Sequence, residues 1–134
     1  MSAASSDVVR AQFAAVRSGS LDAVAQFWDP NIEWRAIEGA ADDVGVMRGH
    51  GALRRYYQDW IDTLEDLRAD VEEVLHEDEG RVVVVVHNSG RGRLSGAPSE
   101  GHYYVACIVR DGHIVVGREY ATPQEALEAV HLLD

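Results

Sequence analysis

Five consecutive valines, Val82 to Val86, limit what this chain can fold into more than any other stretch. β-Branched side chains are stiff at χ1, and an unbroken apolar run cannot turn one face to water as an alternating strand does. The run therefore predicts a strand covered on both faces, inside a sheet and not at its edge. It opens the segment Arg81 to Thr122, RVVVVVHNSGRGRLSGAPSEGHYYVACIVRDGHIVVGREYAT, which reads as three successive strands. The second, His102 to Arg110, joins the third through Asp111-Gly112, the strongest short hairpin signal in the sequence.

Register decides which side chains share a face, since a slip of one residue inverts a strand. A two-residue turn pairs Arg110 with His113 and sets Tyr104 opposite Glu119. A three-residue loop, with Gly112 left-handed in a bulge, pairs Val109 with His113 and Tyr103 with Glu119. The second arrangement is our expectation. It gathers Tyr103, Val105, Cys107, Val115, Gly117, Glu119 and Ala121 on one face. His102, Tyr104, Ala106, Ile108, Ile114, Val116, Arg118 and Tyr120 fall on the other. The first face is mostly small residues around one carboxylate, a wall with room for a ligand.

Ahead of this core, Ser5 or Ser6 is placed to cap a helix with Val9, Phe13 and Val16 on one side. Gly19 ends it, Ser20 caps a second helix over LDAVAQFW, and Pro30 stops that one. Asn31 to Ile37 alternates as a short strand. The stretch Glu38 to Gly51 has four glycines and no sustained period, and reads as a long loop of the kind that often covers a site. Leu53, Tyr56, Tyr57, Trp60, Ile61 and Leu64 then form a full helical stripe, opposite a charged face. Such stripes are usually core; the functional alternative is that Tyr57 or Trp60 lines a pocket. Leu67 to Glu77 is expected to be a strand, paired with the valine run across a turn at Asp78 to Gly80. Thr122-Pro123-Gln124-Glu125 starts a last helix with a threonine cap, a first-position proline and a capping-box glutamate.

A chain of 134 residues suits one domain, taken as residues 1–134, with a core that needs no staples. A net charge of −11 opposes nucleic acid and other polyanions. Cys107 stands alone and suits a reducing compartment, where a buried small hydrophobe is its default role. No run is long enough to span a membrane, and MSAASSD lacks a signal pattern, so the expected location is the cytoplasm. Six histidines form no HExxH or other ligand spacing, and no metal or cofactor is expected. Gly90-Arg91-Gly92-Arg93 has the wrong spacing for a phosphate loop and reads as a bent strand end.

The element order gives an α+β class with helices on one face of a curved sheet. At this level SGSLDAVAQFWDPNIEW, RGHGALRRYYQDW, GRGRLSG and RDGHIVVGREY followed by TPQEALEA carry a resemblance. The sequence resembles the SnoaL-like branch of the NTF2-like superfamily, which includes polyketide cyclases, ketosteroid isomerases and limonene epoxide hydrolases. That resemblance implies a cone: a curved antiparallel sheet with helices packed on its concave face, a cavity between, and commonly a homodimer through the outer face. The isomerase oxyanion tyrosine and aspartate base fall here on Gln12 and Trp34, neither of which can do that chemistry. The hydrolase aspartate falls on Glu119, while its arginine and other aspartate fall near Val86 and Asn88, so that set is broken.

Glu119 is the candidate catalytic residue. On an apolar wall burial disfavours its ionised form and makes it a usable general acid or base near neutrality. The alternative is that it pairs with a cation such as Arg35 or Arg48, or faces solvent at a sheet edge. Trp34, Tyr57, Trp60, Asn88 and Tyr103 are the expected ligand contacts, an amide and a phenol suiting a carbonyl or hydroxyl group. His87, His102 and Tyr104 face the opposite, dimer side. Two functions stay open: an acid/base enzyme of isomerase, cyclase or hydrolase type acting on a hydrophobic compound, or a non-catalytic ligand-binding or dimeric interaction module. A homodimer through the outer sheet face is expected because the helices identified cover only one face.

Overall fold

The computed structural model describes residues 4–133; Met1–Ala3, at the head of the segment expected to lack a signal, and Asp134 lie outside them. In chain order come α1 (Ser5–Ala15), α2 (Leu21–Ala25), β1 (Trp28–Arg35), β2 (Met47–Arg48) and α3 (Gly49–Thr63). They are followed by β3 (Leu64–Asp78), β4 (Arg81–Gly92), β5 (Pro98–Arg110), β6 (His113–Tyr120) and α4 (Pro123–Ala129). One curved, unclosed sheet runs in the order β2-β1-β6-β5-β4-β3, antiparallel except where β1 runs parallel to β6. The α+β class and the arrangement of helices on the concave face are as the sequence implies.

The valine run lies in β4, between β3 and β5. Val82, Val84 and Val86 enter the main core with Phe13, Ile32, Trp34 and Leu53, while Val83 enters a second core on the opposite face. That second core is built by α4, whose Ala126 and Val130, with Leu133 beyond, cover Ala106, Ile108 and Val116. Thr122 caps α4 as expected, its hydroxyl accepting from the Glu125 amide, but the Glu125 carboxylate accepts from that hydroxyl and not from the Thr122 backbone amide as a capping box would have it. The expectation that helices cover only one face is thus corrected: the last helix crosses to the outer side and shields part of it.

Several boundaries differ from expectation for local reasons. Neither serine caps α1; the Ser6 amide and hydroxyl instead donate to the Glu77 carboxylate at 2.7 and 3.0 Å, tying the first turn to the end of β3. Helix α2 is shorter than expected, and Trp28 to Pro30 already belong to β1. Pro30 is tolerated there because the ladder shifts register between Trp28 and Glu33, where no amide need be donated. The strand after the valines' own begins at Pro98, four residues before His102.

The β5–β6 register follows neither straight ladder. Asp111 and Gly112, at φ +52° and +77°, make a two-residue turn that pairs Arg110 with His113. A bulge between Ile108 and Val109 then shifts the ladder, so Val105 faces Glu119 and Tyr104 faces Tyr120. Tyr103, Val105, Cys107, Gly117 and Glu119 still share the concave face, but Ile114 joins them and packs in the main core. The expected open space over Gly117 is filled. Trp34 pairs with Gly117 across the parallel ladder, and its indole lies where a Cβ at 117 would stand.

Substituting Gly117→Ala must therefore displace a buried indole, and overpacking of this kind typically costs about 1–3 kcal/mol. Urea unfolding should show that loss through a lower midpoint at unchanged slope.

Candidate functional site

With Trp34 occupying the Gly117 end of the concave face, space remains toward the other end of the strands. A pocket of about 250 Å³ lies there, bordered by Tyr56, Tyr57 and Trp60 of α3, by Asn88, Tyr103 and Glu119 of the sheet, and by Asp42 of the long loop. Val16, Ile37, Leu67 and Ala69 supply much of its apolar lining. Phe13 of α1 packs edge-on against both Trp34 and Tyr103, fixing the two rings that flank Glu119.

Glu119 sits at the junction. The Trp34 indole N–H donates to its Oε2 at 2.8 Å, and the Tyr56 Oη lies 3.1 Å from Oε2 and 3.3 Å from Oε1. Tyr56 also lies 3.1 Å from Asp42 Oδ2. One phenolic proton cannot serve two ionised carboxylates. A proton on Glu119 Oε1 resolves this, since that O–H then donates to Tyr56, which donates in turn to Asp42. Burial pushes the Glu119 carboxyl up to about 7, against the lowering effect of the Trp34 and Tyr56 hydrogen bonds and with a smaller upward contribution from Asp42. Among the described residues no cation pairs with it: Arg35 pairs with Asp43 at 3.2 Å and with Glu38 at 3.9 Å, and Arg48 pairs with Glu33 at 2.9 Å.

The long loop is held by Asp43. Its carboxylate accepts from the Gly39 and Gly45 amides, both at 2.9 Å, and from Arg35. Those amides, followed by Arg35, lower its pKa to about 2. Asp42 is presented to Tyr56 by this fixed turn.

Of the residues expected from sequence, Tyr57, Trp60, Asn88, Tyr103 and Glu119 all border the pocket. Trp34 lies behind Glu119, 1% exposed, and holds the carboxyl without bordering the space itself. Among the described residues neither Asn88 nor Tyr103 hydrogen-bonds through its side chain to other protein groups, which leaves an amide and a phenol facing the pocket. Burial raises the Tyr56, Tyr57 and Tyr103 pKa values above the ordinary phenol, so each remains a proton donor near neutrality. Tyr57 donates to Gln12 Oε1 at 3.2 Å, and the Trp28 indole donates to the same oxygen at 3.0 Å. Gln12 is thus a fully buried brace for α3, with its Nε2 unpaired. Tyr56 and Asp42 were absent from the expected contacts. The apolar stripe on α3 marked Tyr56, but nothing in the spacing distinguishes it from its core neighbours, and Asp42 is one of several acids in a loop without period. Among the described residues no three His, Cys, Asp or Glu side chains gather as a metal site, and no helix is long and apolar enough to cross a membrane. His87 and His102 pair with Glu100 and Glu72, and His102, expected on the dimer side, borders the rim of the pocket instead.

Two outcomes follow from the carboxyl. The unfolded chain releases the Glu119 proton near 4.5 and the folded chain near 7, so stability falls as pH rises through that window, by on the order of 3 kcal/mol. Glu119→Gln keeps an acceptor for Trp34 and removes that loss; chemical denaturation at pH 5 and pH 8 should give nearly equal stability for the variant and a decline for the parent. Carboxyl-carbon NMR titration should find the Glu119 pKa raised further in Tyr56→Phe, which deletes a donor, and lowered in Asp42→Asn, which deletes a neighbouring charge.

Comparison with known proteins places this geometry. The model of the SnoaL-like domain family matches residues 9–117. Among solved structures, an NTF2-like protein from Burkholderia pseudomallei superposes with a TM-score of 0.75 at 16% identity, covering 96% of this chain and 98% of its own. A protein of ketosteroid isomerase-like fold from Catenulispora acidiphila, crystallised with trimethylamine, gives 0.74 at 13% identity, covering 93% and 92%. TerC, co-crystallised with polyporic acid, gives 0.74 at 19% identity, covering 95% and 98%. At these identities the likeness shows the fold alone. No curated protein matches in sequence. The family match spans most of the chain, and the chain belongs to the SnoaL-like domain family.

Proposed function

We propose that this protein binds a small hydrophobic compound bearing a carbonyl or hydroxyl group, and that Glu119 moves a proton to or from it. The observation that carries this is a buried carboxyl, held by that burial well above the ordinary carboxylate range, bordering a mainly apolar pocket beside an amide and a phenol that have no side-chain partner among the described residues. A group titrating near the working pH is populated in both forms and serves as acid or base. Asn88 and Tyr103 orient the ligand oxygen by donating to it, and Tyr57, its own proton committed to Gln12, offers lone pairs to a ligand hydroxyl. Tyr56 and Asp42 continue the hydrogen-bond chain along the pocket wall and reset the proton on Glu119 after each transfer. Proton transfer alone suits isomerisation or cyclisation; hydrolysis would need Glu119 to activate a water. Two neighbours of the fold were crystallised with small organic molecules, in keeping with a ligand-holding cone.

A non-catalytic binding role is the second proposal, favoured by Asn88, Tyr103 and Tyr57 sufficing to orient a ligand without any help from Glu119. Native mass spectrometry of the purified protein identifies what the pocket carries. With that compound, Glu119→Gln should retain binding within a few-fold and lose turnover by about 10²-fold or more. Retained binding with no turnover in the parent establishes the binding role instead.

We also propose a homodimer through the outer face, where Val85, Tyr104 and Tyr120 stay only half-buried beside the patch that α4 covers. Sedimentation should show a dimer at micromolar concentration, and a monomer there removes the proposal.

A further inference from the structure

Beside the pocket a second concavity runs along the outer side of α3. It measures about 690 Å³ and is bordered by Val44, Val46 and Met47 from the loop and β2, and by Ala52, Arg55, Asp59 and Thr63 from α3. Asp42, Tyr56 and Trp60 border both spaces. The inner pocket alone is small for a drug-sized molecule, since ligand sites commonly reach about 300–1,000 Å³. Val44 and Val46, 72% and 37% exposed, are two of the few large apolar side chains left open to solvent among the described residues. Both are on this groove. Its far wall is preformed, because Asp43 ties the loop internally and β2 pairs with β1 through Glu33–Arg48 and Trp34–Met47. Its charges give no net pull on an ionic group. Asp42 and Asp59 balance Arg48 and Arg55, and Arg48 is already held by Glu33.

We propose that this groove binds the uncharged, apolar tail of the same ligand whose oxygen function lies in the inner pocket, the molecule passing Trp60 and Tyr56 between the two. The ligand class is then an elongated, neutral compound: a carbonyl- or hydroxyl-bearing head with an alkyl or aryl extension. This rests on the inner pocket being the ligand site.

The test uses 4-hydroxyphenyl n-alkyl ketones with acyl chains of two to ten carbons, and their ω-carboxylates, with Kd read by calorimetry. The shortest member reports on the inner pocket. Affinity should rise about fourfold per methylene as the groove fills and then level off. The carboxylates should bind no more tightly than the methyl-terminated chains of equal length. Val44→Asp and, as a milder change, Val46→Ser should flatten the series and leave the Kd of the two-carbon member unchanged. Neither residue borders the inner pocket. A chain-length slope that is flat in the parent, or unaltered in both variants, overturns the groove assignment while the short probe's binding upholds the inner site. Tighter binding of the carboxylates overturns the neutral-tail assignment. Failure of the shortest probe to bind overturns the inner-site proposal and the groove with it.

Discussion

The site depends on one indole. Trp34 can lie flat across β6 only because residue 117 has no side chain, and its N–H reaches the Glu119 carboxyl from that position. The same ring closes the Gly117 end of the cone and so decides where empty space can be. Phe13 fixes the ring from α1, and the parallel pairing of β1 with β6 fixes its height along the sheet. A tryptophan N–H only donates. It therefore supports a carboxyl oxygen in either protonation state, and opposes the burial that drives Glu119 toward neutrality without overcoming it.

That balance distinguishes Glu119 from the other acids. Asp43, with two backbone amides and a guanidinium, is held ionised and serves the loop. Glu119 has one indole, one shared phenol and, among the described residues, no cation, so its environment leaves the proton exchangeable. The difference is in the number and kind of donors, not in depth alone. Tyr56 couples the two regions, since its hydroxyl spans from Glu119 to the residue next to Asp43.

Much of this was legible in the residues. The valines required a central strand, Asp111-Gly112 required a tight hairpin, and period-two spacing put Tyr103 and Glu119 on one face with Asn88 on the neighbouring strand. What stayed hidden is what depends on long-range packing. A bulge at Ile108 and Val109 carries no marker residue, and the apolar triplet Ile114-Val115-Val116 fits either face, so strict alternation puts Ile114 on the outer face although it packs in the main core. Glycine at 117 signals a close approach but not by whom; small size reads equally as room for a ligand or room for a tryptophan. Ser6 looked like a cap because its partner, Glu77, is seventy-one positions away. The last helix was recognised by its capping box, yet the side of the sheet it covers depends on the path of the chain after Tyr120.

The Ser6–Glu77 contact also sets an order of assembly. Helix α1 is made early, but its amide and hydroxyl find their acceptor only at the end of β3, and its apolar side packs on strands that follow. During synthesis it leaves the ribosome with neither partner available. The Ser6 donors, and that part of its apolar side which packs on the sheet, therefore have partners only once β3 and β4 have been made. The helix that seals the cone thus depends on contacts made seventy-one residues further along the chain.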